Sequence, residues 1–101
     1  MLNDVQAATG KARIAVNGRF DFSAHRDFKR LYDAPLRSGA VNELEIDMAK
    51  VEYLDSSGLG MLLMLKEIAR SANKTVALTN CRGATRLVLD IANFGQLIPI
   101  R

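Results

Sequence analysis

Hydrophobic residues in this chain switch between two spacings, and the switching leaves few folds open. Lys11 to Asn17 (K-A-R-I-A-V-N) puts Ala12, Ile14 and Val16 on one side of an extended segment, the period of a half-buried strand. The spacing then lengthens: Ala24, Phe28, Leu31 and Pro35 recur at four, three and four residues, the buried stripe of a helix. Glu43 to Met48 (E-L-E-I-D-M) returns to strict alternation, and Lys74 to Thr79 (K-T-V-A-L-T) reads as a third strand. A turn at Asp55 to Gly58 and a helix from Gly58 to Ser71 lie between those two, and Ala84, Leu87, Val88 and Ile91 mark a last helical stripe. Strands alternating with helices predict an α/β domain: a mixed, mostly parallel sheet of four or five strands with helices packed against it.

The edges are read from turn chemistry. Gln6 to Thr9 is a possible first strand, with Gly10 in a hairpin turn, and Leu97 to Ile100 a short terminal one. Asn17-Gly18 signals a second turn. Ser23 is placed to cap the first helix, Pro35 to end or bend it near Ala34, and Ser38-Gly39 to close it.

The 101 residues make one domain, residues 1–101, large enough to bury a core without disulfides or metals. A single cysteine, Cys81, forbids an internal disulfide and argues against a zinc site; it is expected as a buried small hydrophobe. The longest Gly/apolar run, Gly58 to Leu65, is far short of a membrane span. Residues 1–10 carry an early Asp and no apolar core, so no secretory signal is expected and the default address is a reducing cytoplasm. The net charge of +3 invites a nucleic-acid reading, but the basic residues are dispersed. Asp21, Asp27 and Asp33 flank the one tight group, Arg26, Lys29 and Arg30, and no aromatic–basic interleaving accompanies it.

On the middle helix, Leu65 lies near the centre of a broad apolar face, surrounded by Met61, Leu62, Ile68, Ala69 and Ala72. Lys66, Glu67, Arg70 and Ser71 take the other side, yet Leu59 and Leu63 project among them, one turn apart. That pair predicts a small apolar patch for a partner beside the start of the helix.

The segment Tyr53 to Gly60 (Y-L-D-S-S-G-L-G) carries the most chemistry. Asp55, Ser56 or Ser57 accepts hydrogen bonds from the unpaired amides of the first turn. A serine there is also a place where a phosphate is tolerated, because a helix N-terminus favours anions. The added charge, about −1.5 to −2, would leave the fold intact while repelling an acidic partner. A serine nucleophile would need a base, and the lone histidine, His25, falls on the solvent side of another helix. The G-L-G at 58–60 lacks the rest of a dinucleotide loop, and no G-x-x-x-x-G-K occurs. Glu43, Glu45 and Asp47 share one face of a strand and read as its solvent side rather than as a metal site. Asp21 and Ser23, at another strand-to-helix junction, are polar enough to line the same end of the sheet as Ser56.

The order strand, G-R-F-D, helix, strand, L-D-S-S-G-L-G, helix, strand, helix resembles the STAS domain, and specifically the bacterial anti-sigma-factor antagonists, over roughly Ile14 to Ile98. The resemblance implies that Ser56, the serine directly after the Asp, is the phosphoacceptor, with Ser57 next. It implies a partner surface of Asp21, Ser23, Asp55, Ser56, Ser57 and Gly58, to which the helix pattern adds Leu59 and Leu63. The unphosphorylated protein would bind an anti-sigma factor and free a sigma factor. A serine kinase, often the anti-sigma factor itself, would break that complex, and a PP2C-like phosphatase would restore it. ATP would be the partner's cofactor; this chain is expected to need no cofactor, bind no nucleic acid or membrane directly, and catalyse nothing. Little sequence follows Leu97 for the further C-terminal helix that many members carry. The alternative is a constitutive STAS scaffold or ligand-sensing module in a larger assembly, and a hydrolase using Ser56 or Ser57 ranks last.

Overall fold

The computed structural model describes residues 2–8 and 10–101, the first stretch through its backbone. β1 (Leu2–Ala8) turns at Gly10 into β2 (Lys11–Phe20) and pairs with it antiparallel, Ala8 opposite Lys11. The first strand thus begins earlier than its predicted Gln6 start, and Thr9 lies outside the described residues. A 3-10 turn (Phe22–Ala24) and α1 (His25–Arg37) carry the chain over to β3 (Glu43–Leu54), parallel to β2. α2 (Ser56–Ser71) makes the second crossover, to β4 (Thr75–Thr79), parallel to β3. α3 (Gly83–Ile91) and a 3-10 turn (Phe94–Gln96) follow. The sheet order is β1-β2-β3-β4, and the terminal strand expected over Leu97–Ile100 contracts to one parallel bridge, Leu78 to Ile100.

The core lies on one face of the sheet. Ile14, Ile46 and Leu78 stand in a single cross-strand row and are all fully buried. Leu62 and Leu65 of α2 and Phe28 of α1 belong to the same cluster, and edge-to-face contacts join Phe20 to Phe28 (5.0 Å) and Phe28 to Tyr32 (5.2 Å). Leu89 of α3 and Phe94 also enter this core.

Several boundaries move. The predicted turn at Asn17-Gly18 is a bulge inside β2: the register shifts on both sides, and Gly18 at φ +68° absorbs the distortion without a side-chain clash. β3 runs six residues past Met48 to Leu54, so the strand leads directly into α2. Pro35 sits in the last turn of α1, where a missing N–H disturbs little, and the helix continues to Arg37. On α3 the buried residues are Thr85 and Leu89, with Val88 half-buried; Ala84 is exposed, as are Leu87 and Ile91 at 59% and 78%. The stripe that the period marks, Ala84, Leu87, Val88 and Ile91, thus faces largely outward, and Leu89 on the opposite side enters the core. The Thr85 hydroxyl, donating to the Val51 carbonyl (3.3 Å), fixes which side faces in.

Glu43, Glu45 and Asp47 do share the face opposite the core, but Glu45 is not a solvent residue: it is only 4% exposed. Arg13 (2.8 Å), Lys11 (3.2 Å) and Arg101 (3.7 Å) cover it. Arg101 also forks onto Glu43, with both guanidinium nitrogens within 2.9 Å of its carboxylate. Burial of Glu45 pushes its carboxyl pKa up, yet the hydrogen bonds and charges of Arg13 and Lys11 bring it net below the ordinary value. Among the described residues no helix is long and apolar enough to cross a membrane, and no group of three or more His, Cys, Asp or Glu side chains gathers to hold a metal ion.

Candidate functional site

Two neighbouring strands end alike. Phe20 and Leu54 are partners in the β2–β3 ladder, and each is followed by an aspartate that caps the next helical turn. Asp21 (φ −128°, ψ −169°) and Asp55 (φ −127°, ψ −173°) have nearly the same backbone conformation. Asp21 accepts from the amide and hydroxyl of Ser23; Asp55 accepts from the Ser57 hydroxyl (2.6 Å) and the Gly58 amide (3.1 Å). Asp-x-Ser thus occurs twice, after adjacent inner strands at one end of the sheet. Sequence reasoning placed the first cap on Ser23; it belongs to Asp21, two residues earlier.

The middle residue of each Asp-x-Ser is displayed outward. In the first turn it is Phe22, 70% exposed, and in the second it is Ser56, also exposed. Among the described residues no side chain hydrogen-bonds the Ser56 hydroxyl, whereas the Ser57 hydroxyl is committed to Asp55. Hydrogen bonds from Ser57 and then Gly58 hold the Asp55 carboxyl below its usual range, and Ser23 does the same for Asp21. Asp55→Ala is expected to lower the melting temperature by about 4 °C at neutral pH. The difference should shrink as acid protonates Asp55 in the parent; thermal scans at several pH values check both points.

Gly58 holds the two turns together. A Cβ on it would overlap the Phe20 carbonyl oxygen and stand 2.8 Å from Leu54 Cδ1. It is buried, so it lies behind the tip rather than on a surface that a partner reaches. Arg19 crosses the same end of the sheet, its guanidinium 3.9 Å from the Tyr53 ring centroid and 3.2 Å from Asp21. The tip therefore carries two carboxylates against one guanidinium. His25 stacks on Phe22, ring centroids 5.4 Å apart. Cys81 is half-buried, and burial pushes its thiol up to about 11, so it is a poor nucleophile at neutral pH.

The apolar patch on α2 is not where the periodicity put it. Leu59 and Leu63 are half-buried and pack against the core, while Met64 (51% exposed) and Ile68 (37%) face outward and Ala72 is exposed. The helix is rotated about its axis toward Leu59 because Gly58, the residue without a side chain, is the one pressed against the end of β2. Ser56, Gly60, Met64 and Ile68 then follow at four-residue spacing along one exposed line. Sequence reasoning missed Phe22 and Met64. The Asp-x-Ser repeat could have exposed the first, since it places Phe22 at the position of Ser56.

A family model described as "Mlab, STAS domain" matches residues 3–99. The chain belongs to the STAS domain family. A STAS-domain containing protein of Pseudomonas aeruginosa, PA14_20770, is 41% identical over 87 residues, covering 86% of this chain and 84% of the relative. Among solved STAS structures, an anti-sigma factor antagonist from Mycobacterium paratuberculosis superposes with a TM-score of 0.81 at 21% identity, over 99% of this chain and 83% of that one. The anti-sigma factor antagonist SpoIIAA of Bacillus, in its unphosphorylated form, gives 0.75 at 19%, over 100% and 86%. A sulfate transporter family protein from Wolinella succinogenes gives 0.75 at 17%, over 92% and 75%. At these identities the structures establish the STAS fold, and the task has to be argued from the site.

Proposed function

We propose that this STAS domain is an anti-sigma-factor antagonist, a protein–protein switch controlled by phosphorylation of Ser56. The observation that carries the reading is the division of labour between adjacent serines: Ser57 is locked into the cap, while Ser56 is exposed with no side-chain hydrogen bond among the described residues. A kinase can reach Ser56 without dismantling the helix start. Phosphate there sits on the favourable end of the α2 dipole, so the fold survives. Two carboxylates and one guanidinium give the tip a local charge of about −1, which phosphate would take to roughly −2.5 to −3. An anti-sigma factor seated over Phe22, Ser56 and the Gly60–Met64–Ile68 line would then be repelled at the centre of its contact. SpoIIAA, a similar fold, has been solved in a phosphorylated form, which supports phosphorylation as a control on a domain of this fold. A serine kinase and a PP2C-like phosphatase are the opposing enzymes, and the chain itself acts by binding.

Mass spectrometry of the protein from its own host is expected to place phosphate on Ser56 in part of the population. Ser56→Asp is expected to weaken capture of the anti-sigma factor at least tenfold with the melting temperature unchanged within about 2 °C, whereas Ser56→Ala binds constitutively. Phosphate found on Ser57 alone, or on neither serine under any growth condition, would overturn the switch and favour the constitutive module.

A further inference from the structure

At the opposite end of α2 from Ser56, a cleft of about 330 Å³ opens between the helix, the start of β4 and the C-terminal segment. Val76, Leu97 and Pro99 contribute to its apolar lining, and Leu97 is 44% exposed. Its rim is cationic. Lys66 makes no ion pair among the described residues, and Arg70 has only a long, exposed contact with Glu67 (3.8 Å). Lys74 is anchored by the Ser38 and Val41 carbonyls (2.7 and 2.6 Å), which leaves its third N–H available. The one acidic side chain lining the cleft, Glu43, is already forked by Arg101.

The backbone adds a donor. Thr75 donates inward to Asn42 (3.0 Å), and Leu78 donates outward to Pro99 (2.9 Å). By the alternation of a strand, Val76 also turns its N–H and C=O outward, at the cleft. The Leu78–Ile100 bridge closes the edge of β4 just beyond, so the opening admits a compact ligand and blocks an extended strand from running through. Its volume is at the small end of ligand pockets.

We infer that this cleft binds a small amphiphilic anion, a carboxylate or phosphate head held by Lys66 and Arg70 with a short hydrocarbon tail along Val76, Leu97 and Pro99. Nothing in the proposal depends on Ser56. The test is a titration of the full ¹⁵N-labelled chain with octanoate, alongside acetate, octyltrimethylammonium and an acidic peptide. Octanoate is expected to give saturable shifts centred on Val76 and Leu97 with Kd below about 1 mM. Acetate should bind at least tenfold more weakly for want of a tail, and the cationic amphiphile likewise for its charge. The double variant Lys66→Gln, Arg70→Gln alters solvent-facing ends of α2, so the rest of its spectrum should be unchanged while octanoate affinity falls at least tenfold. No saturable shift, equal binding of the cationic amphiphile, shifts centred elsewhere, or unchanged affinity in the variant would each overturn the inference. So would an acidic peptide that binds the cleft when octanoate does not.

Discussion

Replacing Gly58 by alanine is expected to destabilise the protein by about 3 kcal/mol and to lower its melting temperature by more than 10 °C. The added methyl would overlap the Phe20 carbonyl oxygen, an atom of the backbone that cannot rotate aside. Either α2 withdraws from the end of β2 or the strand end bends, and both routes disturb the tip that carries Asp21 and Ser56. Gly60, two residues on, is the internal control. Nothing lies within 4 Å of a Cβ there, so Gly60→Ala should stabilise α2 by about 0.5–1 kcal/mol through helix propensity. Urea titrations of the two variants should therefore move in opposite directions. Equal destabilisation would mean that the close approach at Gly58 is not what holds the tip.

The second large effect is expected on the far face of the sheet. Glu45→Ala removes the carboxylate that Lys11, Arg13 and Arg101 converge on and leaves Glu43 alone to offset the three cations. The carboxylate is nearly buried, but the cations are each about half-exposed and their repulsion is screened, so about 2 kcal/mol is the expected loss. The sign with pH follows from lowered carboxyl pKa values. Arg101 holds Glu43 down, and the Arg13 and Lys11 bonds outweigh burial at Glu45. Their contribution is present above the ordinary carboxylate value of 4.5 and is lost as pH falls through the depressed folded values. Urea unfolding of the parent should weaken below about pH 4.5, and Glu45→Ala should weaken less over the same range. A variant as stable as the parent at pH 7 would show that the cluster contributes little.

What the sequence made legible was whatever depends on period alone. Ile14, Ile46 and Leu78, read from three separate alternations, meet in one buried row. The Asp-Ser-Ser turn falls at the start of a helix, as its capping chemistry requires. Illegible were features set by contacts between elements. Whether Asn17-Gly18 turns the chain or bulges it depends on the partner strand beside it, which local sequence does not reveal. The outward faces of α2 and α3 were misjudged because α2 is apolar over most of its circumference and α3 turns its apolar stripe outward, and the rotation of each is fixed elsewhere. Gly58 fixes it in one case and Thr85 in the other. Glu45 reads as a solvent residue in a one-dimensional alternation, since Arg101, one of its covers, lies at the other end of the chain.

α2 spans Ser56 to Ser71, so the serine tip stands about 15 Å from Lys66 and about 21 Å from Arg70 on one rod. Those distances are about two Debye lengths or more at physiological salt, so charge placed at one end is strongly screened at the other. Occupants of the two ends neither collide nor repel one another. Any communication between them has to be mechanical, by rotation or tilt of the helix on the sheet, and the close seat of Gly58 against Phe20 resists both. The domain is therefore built as two independently addressable ends rather than as a relay.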